Sequence, residues 1–307
     1  MSNKFKGNAA LLITAIVWGT GFIAQKLGNE VMPPMTFNAV RQIMAAIVLC
    51  PLMLSGLKKS GYLDAGKNTT AQLEFKKRKL LKAFFFCGAC LMFGTMTQQI
   101  GLLTVSAGKS GFVSGMYIVF TPIIGMVIGN KVHAKTFLCV AIAMAGFALL
   151  SLRGGLGNTT PGDWWTLVSA VGFGAQITAV NAFVDKDNDL IISVLQMIFA
   201  GVFGLIIALI VEDPTWSQLV AGIPVLVYAT LFPTTIGYTF QIVGQKYTDP
   251  TTAALLMSLE SVFAVIFGAI FLKEYMTPME LAGCAVIFVA VVLDQIDIKS
   301  LKERRKA

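Results

Sequence analysis

Charge is what this sequence has least of. Only 13% of its 307 residues are Asp, Glu, Lys or Arg, about half the roughly 25% of a soluble globular domain. The hydrophobic share is 56% and the mean hydropathy is +0.74, so water is not the main solvent of this chain. Histidine occurs once, at His133 in a short basic turn. That excludes chemistry built on several imidazoles, and a solvated loop histidine is the plain reading. No Asp/Glu/His cluster converges, so no catalytic group, metal site or cofactor site is predicted. Five cysteines are scattered over four apolar runs, and the odd number argues against a disulfide framework. Cys87 and Cys90 form a C-x-x-C, but inside an apolar helix they read as small packing residues.

What is present is length of apolar chain. A helix needs roughly 20 mostly apolar residues to cross the hydrocarbon layer. Ten such runs occur, at about 8–27, 36–56, 80–100, 107–128, 134–152, 163–184, 189–211, 219–241, 251–272 and 277–295. They are continuous rather than alternating, which favours helices over a closed β-barrel. The N-terminus starts like a signal peptide, but Trp18, Gly19 and Thr20 carry the run on without a small-residue cleavage pattern. It reads as an uncleaved first span.

The net charge of +8 suggests nucleic acid only until its distribution is followed. With the N-terminus inside, 19 of the 24 Lys and Arg fall in inner segments, three (Lys26, Arg153, Lys273) outside, and Arg41 and Lys109 within spans. Cytoplasmic loops are expected to hold the basic residues, so both termini are predicted to be cytoplasmic. The expected surroundings are a lipid bilayer and a small solute, not nucleic acid, with monomer and homodimer both open.

The chain also repeats itself. At a shift of 155, Leu12, Ala15, Gly19, Ala24, Ile43 and Ala45 meet Leu167, Ala170, Gly174, Ala179, Ile198 and Ala200. At a shift of 143, Gly94, Gln98, Gly101, Val119, Phe120, Ile123, Leu138 and Leu150 meet Gly237, Gln241, Gly244, Val262, Phe263, Ile266, Leu281 and Leu293. The two halves are 1–155 and 156–307, the second ending in a basic tail. Five spans per half would place the second upside down relative to the first. The loop between spans two and three carries eight basic residues, whereas its counterpart carries none and has Glu212 and Asp213. The prediction is an all-α integral membrane protein of ten transmembrane helices in two inverted five-helix repeats, an arrangement suited to opening on either side in turn.

Several segments resemble the EamA-type transporters of the drug/metabolite transporter superfamily. They are A-I-V-W-G-T-G-F at 15–22, S-A-G-K-S-G-F-V-S-G-M-Y-I-V-F-T-P at 106–122, T-D-P-T-T-A-A-L-L-M-S-L-E-S-V-F at 248–263 and F-L-K-E at 271–274. Two departures stand out: Gly129-Asn130-Lys131 replaces a frequent Gly-Glu, and Glu260-Ser261 replaces a frequent Glu-Pro. The resemblance implies ten helices, a five-plus-five inverted repeat, and movement of small organic solutes such as amino acids, often outward. A bacterial inner membrane fits it.

Polar groups inside spans are the candidates for function, because a charge at a helix centre costs about 2.5–3.5 kcal/mol on the insertion scale. Glu260 reads either as a proton site or counter-charge, since burial disfavours a charged carboxyl, or as a structural hydrogen-bonding group. Arg41 and Lys109 lie near outer helix ends, where long basic side chains snorkel or pack, or else meet a substrate carboxylate. Gly108, Ser110, Gly111 and Ser114 leave room around Lys109. Gln98 and Gln241 occupy equivalent positions, either holding a solute near the midplane or gluing helices together. Gln99, Gln176 and Asn181 are possible neighbours. Trp18 with its counterpart Phe173, and Tyr117 with Tyr238, are aromatic walls or packing, and Tyr117 is the counterpart of Glu260. Trp164, Trp165 and Trp216 read as interfacial anchors.

Gly111/Gly115 and Gly125/Gly129 make G-x-x-x-G on span four, a spacing for close helix approach, and Pro122 is expected to bend that helix. Thr160-Pro161-Gly162-Asp163 is a start signal for span six. Together these predict a secondary carrier in which solute binds between the repeats. No complete phosphate-binding G-x-x-x-x-G-K-[ST] motif is present, so ATP is not the direct energy source. A facilitative channel, a lipid or lipid-precursor translocase and, less favoured, an integral membrane enzyme are the alternatives.

Overall fold

The computed structural model describes residues 3–127, 134–151, 159–185, 187–248, 253 and 256–295. Among the described residues there are helices and turns but no strand. The order is α1 (Asn3–Val31), α2 (Pro34–Ser60), α3 (Thr70–Gly101), α4 (Ala107–Ser114), α5 (Tyr117–Val127), α6 (Ala134–Ser151), α7 (Pro161–Phe183) and α8 (Asp189–Val211). Then come α9 (Trp216–Ala221), α10 (Ile223–Ala229), a π-helical segment (Thr230–Gly237), α11 (Tyr238–Gln245), α12 (Glu260–Phe267), a second π segment (Gly268–Leu272) and α13 (Pro278–Gln295).

Seven helical stretches are long and apolar enough to cross a membrane: five are single helices, one runs through α4 and α5, and one from α10 to α11. Three shorter apolar helices, Phe137–Leu149, Leu256–Leu272 and Pro278–Ala290, stand where the fifth, ninth and tenth spans were expected. Much of the outward surface is apolar, with Ile47, Ile210 and Phe271 among the exposed side chains. The protein is a multi-pass membrane protein. The turn that carries Gly129, Asn130 and His133, the junction of the predicted halves near 155, and the basic tail all lie outside the described residues.

Local chemistry sets the helix ends. α2 begins on Pro34, whose missing N–H costs nothing in the first turn, and stops at Gly61, held at φ 61° with its N–H on Leu57 O. A capping box between Thr69 and Gln72 starts α3. A second, between Thr160 and Asp163, starts α7 as the sequence signals, and each satisfies donors that the helix leaves open.

The predicted fourth span is broken. α4 ends at Ser114 and α5 starts at Tyr117. A Cβ at Gly115 would lie 2.8 Å from Ser261 Oγ, and that hydroxyl donates to Gly111 O at 2.9 Å. Gly111 and Gly115 therefore serve close approach to α12, and Ser261 uses the carbonyl that a Glu-Pro sequence would leave alone. In the predicted eighth span the wide turn sits at Pro233, which cannot donate to Ala229 O. The Thr234 hydroxyl supplies that bond at 2.7 Å, so the freed carbonyl is satisfied. Carbonyls at Pro233 and Gly237 accept from Trp18 Nε1 (3.0 Å) and Thr14 Oγ1 (3.2 Å) on α1.

Packing brings distant parts of the chain together. α3 lies against α7 and α8, α2 against α8, α1 against α11 and α12, α4 against α12, and α6 against α13. The central core gathers Met116, Tyr117, Ile118, Phe173, Ile177 and Met257.

Candidate functional site

A cavity with about 460 Å³ of atom-free space opens between α1, α2, α3, α5, α7, α11 and α12. Eight of the nine residues singled out from the sequence line it. Trp18 comes from the middle of α1, Arg41 from the second turn of α2 and Gln98 from the last turn of α3. Tyr117 and Glu260 are the first residues of α5 and α12, Phe173 is central in α7, and Tyr238 and Gln241 open α11. Trp18 and Tyr238 form one wall, ring centroids 5.1 Å apart.

The cavity holds a guanidinium and a carboxyl. Arg41 is 2% exposed and Glu260 4% exposed, and Tyr238 lies within electrostatic reach of both. Of the readings open for Arg41, snorkelling does not describe it: its guanidinium points inward, donating to Asn38 Oδ1 through Nε (3.2 Å) and Nη2 (2.8 Å) and to Thr234 Oγ1 through Nη1 (3.3 Å). Asn38 is steadied in turn by a bond to Thr95 Oγ1 at 3.0 Å.

The two counterpart amides have different partners. Gln241 Nε2 donates to Gln176 Oε1 at 3.0 Å, and Gln176 Nε2 donates to Gln196 Oε1 at 2.9 Å. Gln98 Nε2 donates to Ser114 Oγ at 2.9 Å. Tyr117 and Glu260 face each other within hydrogen-bonding reach, and among the described residues no partner meets Gln25 Oε1 or Gln241 Oε1, both buried at the cavity wall. The site can therefore accept hydrogen bonds from a guest as well as offer a guanidinium and a carboxyl.

Lys109 is not part of this wall, and of its readings packing within the fold describes it. Its Nζ sits 2.6 Å from Oδ1 of Asp163, which is fully buried, while Asp163 Oδ2 accepts from Thr160 N and Oγ1. The pair ties the start of α4 to the start of α7. Nearby, Lys26 Nζ donates to Val105 O (2.7 Å) and pairs with Glu274 (3.5 Å), which accepts from Ala107 N. At the opposite end Lys79 and Tyr62 meet Asp185, and Lys246 meets Asp189. Burial, reinforced by Asp185, pushes the Tyr62 phenol up to about 12, so it remains a donor at neutral pH.

Gln25, Phe22, Gly21, Ile177 and Pro233 complete the lining and were not singled out from the sequence. Gln25 stands near the end of an apolar run, where an amide looks interfacial. The other four carry no polar signal. Gln176 was named as a neighbour, Gln99 bonds instead to α1, with Gln25 O at 2.9 Å and Asn29 Oδ1 at 2.7 Å, and Asn181 lies exposed near the end of α7.

Relatives place these features in a family. The chain is 27% identical over 292 residues to an uncharacterized transporter of Archaeoglobus fulgidus, covering 94% of this chain and 86% of that one. It is 24% identical over 286 residues to the uncharacterized inner membrane transporter YedA of Escherichia coli (strain K12), covering 92% and 89%. It is 24% identical over 309 residues to a Streptantibioticus cattleyicolor protein named "Probable terminal-alkyne amino-acid exporter", covering 97% and 95%. A solved structure described as "Crystal structure of protein" shares the fold with a TM-score of 0.64 at 14% identity, over 97% of this chain and 98% of that one. The family model of the EamA-like transporters matches residues 5–152 and again 160–293. The chain belongs to the EamA-like transporter family.

Proposed function

We propose that this protein is a secondary active carrier of small organic metabolites, amino acids or related compounds, bound in the central cavity between two inverted repeats, 1–155 and 156–307. The observation that carries the reading is the symmetry of the cavity wall. At the shifts found in the sequence, Trp18 and Phe173, Gly21 and Gln176, Phe22 and Ile177, Gln98 and Gln241, and Tyr117 and Glu260 are counterparts, and all ten line it. A site on a pseudo-twofold axis is where such carriers bind.

Contacts support the inversion. The end of α3 meets the end of α1 through Gln99 and Asn29, and the start of α7 through Gly101 and Thr166. The counterparts α1 and α7 therefore run in opposite directions past a common point. Charge supports cytoplasmic termini in a cell membrane: the membrane face with Lys58, Lys59 and Lys76–Lys79 also receives the starts of α1 and α8. The exporter among the relatives favours outward movement of amino-acid-like solutes. Neither ATP nor a bound cofactor is called for.

Reconstitution into sealed vesicles tests the proposal. Saturable flux with counter-exchange of preloaded amino acids is expected. Flux that does not saturate would replace the carrier with a channel, scrambling of labelled lipid would replace it with a lipid translocase, and turnover without compartments would replace it with an enzyme.

A further inference from the structure

Arg41 lines the cavity fully buried, and among the described residues no carboxylate lies within ion-pair distance of it. Leaving a buried charge without an opposite partner is strongly unfavourable. The remaining candidates for compensation are neutral: Asn38 and Thr234 together take three N–H groups of the guanidinium. A guanidinium has five, so two are left, one on Nη1 and one on Nη2. That number matches two-point binding of a planar carboxylate.

The position has no counterpart charge either. Its partner in the repeat is Gln196, which accepts from Gln176 and does not line the cavity. Arg41 thus breaks the symmetry of the wall, giving the cavity one cationic end. Glu260 lies in the same cavity, and the open oxygens of Gln25 and Gln241 accept but cannot donate. They suit the N–H groups of a guest and repel a second carboxylate.

We propose that Arg41 is the specificity-determining anchor of the cavity, pairing with a carboxylate that every good solute must carry. This deepens the carrier reading above and rests on it for the choice of amino acids as probes. The guest supplies the counter-charge that the protein withholds, so the empty site is less stable than the filled one.

The test is thermal unfolding of the purified full chain in detergent with L-threonine, L-phenylalanine or L-glutamate, each against its methyl ester. The expected result is stabilisation by at least one free acid and at least a tenfold weaker effect of its ester. Arg41→Gln should remove the response to the acid while leaving unliganded stability equal or higher. If that variant does not fold, Arg41→Lys keeps the charge with fewer donors. It should retain the preference for acid over ester at a several-fold higher half-maximal concentration. Stabilisation by none of the acids, equal stabilisation by acid and ester, or an undiminished acid response in Arg41→Gln each overturns the anchor. Vesicle flux separates this failure from that of the carrier reading. Saturable flux of esters as good as acids removes the anchor and leaves the carrier, whereas Arg41-dependent acid binding without carrier-type flux does the reverse.

Discussion

Arg41 and Lys109, the two basic residues that the sequence reading sets within spans, teach opposite lessons. Lys109 is neutralised within the fold, 2.6 Å from the fully buried Asp163. Among the described residues Arg41 donates to an amide oxygen and a hydroxyl and pairs with no carboxylate. The first is a strut between the starts of α4 and α7, and the second is the cationic end of a cavity. A charge in a span does not mark a site by itself; what marks it is whether the fold supplies the opposite charge. In the sequence the two residues look alike, both near an outer helix end. Even the room around Lys109 offered by Gly108 and Gly111 serves α12, since a Cβ at Gly108 would meet Val265 Cγ2 at 3.0 Å and one at Gly111 would meet Ala264 Cβ at 2.8 Å.

The sharpest way to break this contrast is to remove one member of the strut. Lys109→Met takes the ammonium away from the buried Asp163 carboxylate, and should lower stability by about 3–5 kcal/mol. The double variant Lys109→Met/Asp163→Asn should recover part of that loss. Denaturation in detergent reads both, and a single variant as stable as the parent would mean that the pair holds nothing. Gly19→Val comes next. A Cβ there already lies 3.1 Å from the Phe263 carbonyl carbon, and overpacking typically costs about 1–3 kcal/mol. Unchanged thermal stability would show that α1 and α12 yield easily.

Smaller effects on stability, but large ones on function, are expected at the amides. Gln98→Ala and Gln241→Ala should each cost about 0.6 kcal/mol, the average for interhelical polar contacts in one membrane system. Both should weaken solute affinity, Gln241 more, because it also holds Gln176. Normal affinity in both would assign them to packing alone. Glu260→Gln should leave folding intact and abolish the pH dependence of transport; a retained pH profile would take proton coupling away from that residue.

Much of the cavity was legible because a polar residue in an apolar run is costly and therefore conspicuous. Arg41, Glu260, Gln98 and Gln241 stand out for that reason, and the internal repeat links Trp18 to Phe173 and Tyr117 to Glu260. Helix starts were legible where the cap is local, as at Thr160 and Asp163. The Lys109–Asp163 pair was hidden by that same clarity. Asp163 has a complete local explanation as a capping residue, so no local pattern announces that its second oxygen meets a lysine on another helix. Breaks inside spans were only half visible. Pro122 was expected to bend span four, yet the break lies at Gly115–Met116, where contact with Ser261 decides the backbone path. Pro233 sits in a wide turn settled partly by the neighbouring Thr234 hydroxyl and partly by Trp18 and Thr14 on α1, which are remote in sequence. Hydropathy predicts ten runs; among the described residues seven helical stretches reach spanning length, and shorter apolar helices stand at the other three.

Alternating exposure of the cavity is the most direct test. With the five native cysteines replaced by alanine, Ile177→Cys places a thiol on the cavity wall. It would be challenged with a membrane-impermeant thiol reagent from each face of oriented vesicles. Labelling from both faces, slowed on both by a transported amino acid, is the predicted result. Labelling from a single face, indifferent to solute, would contradict a carrier that works between inverted halves.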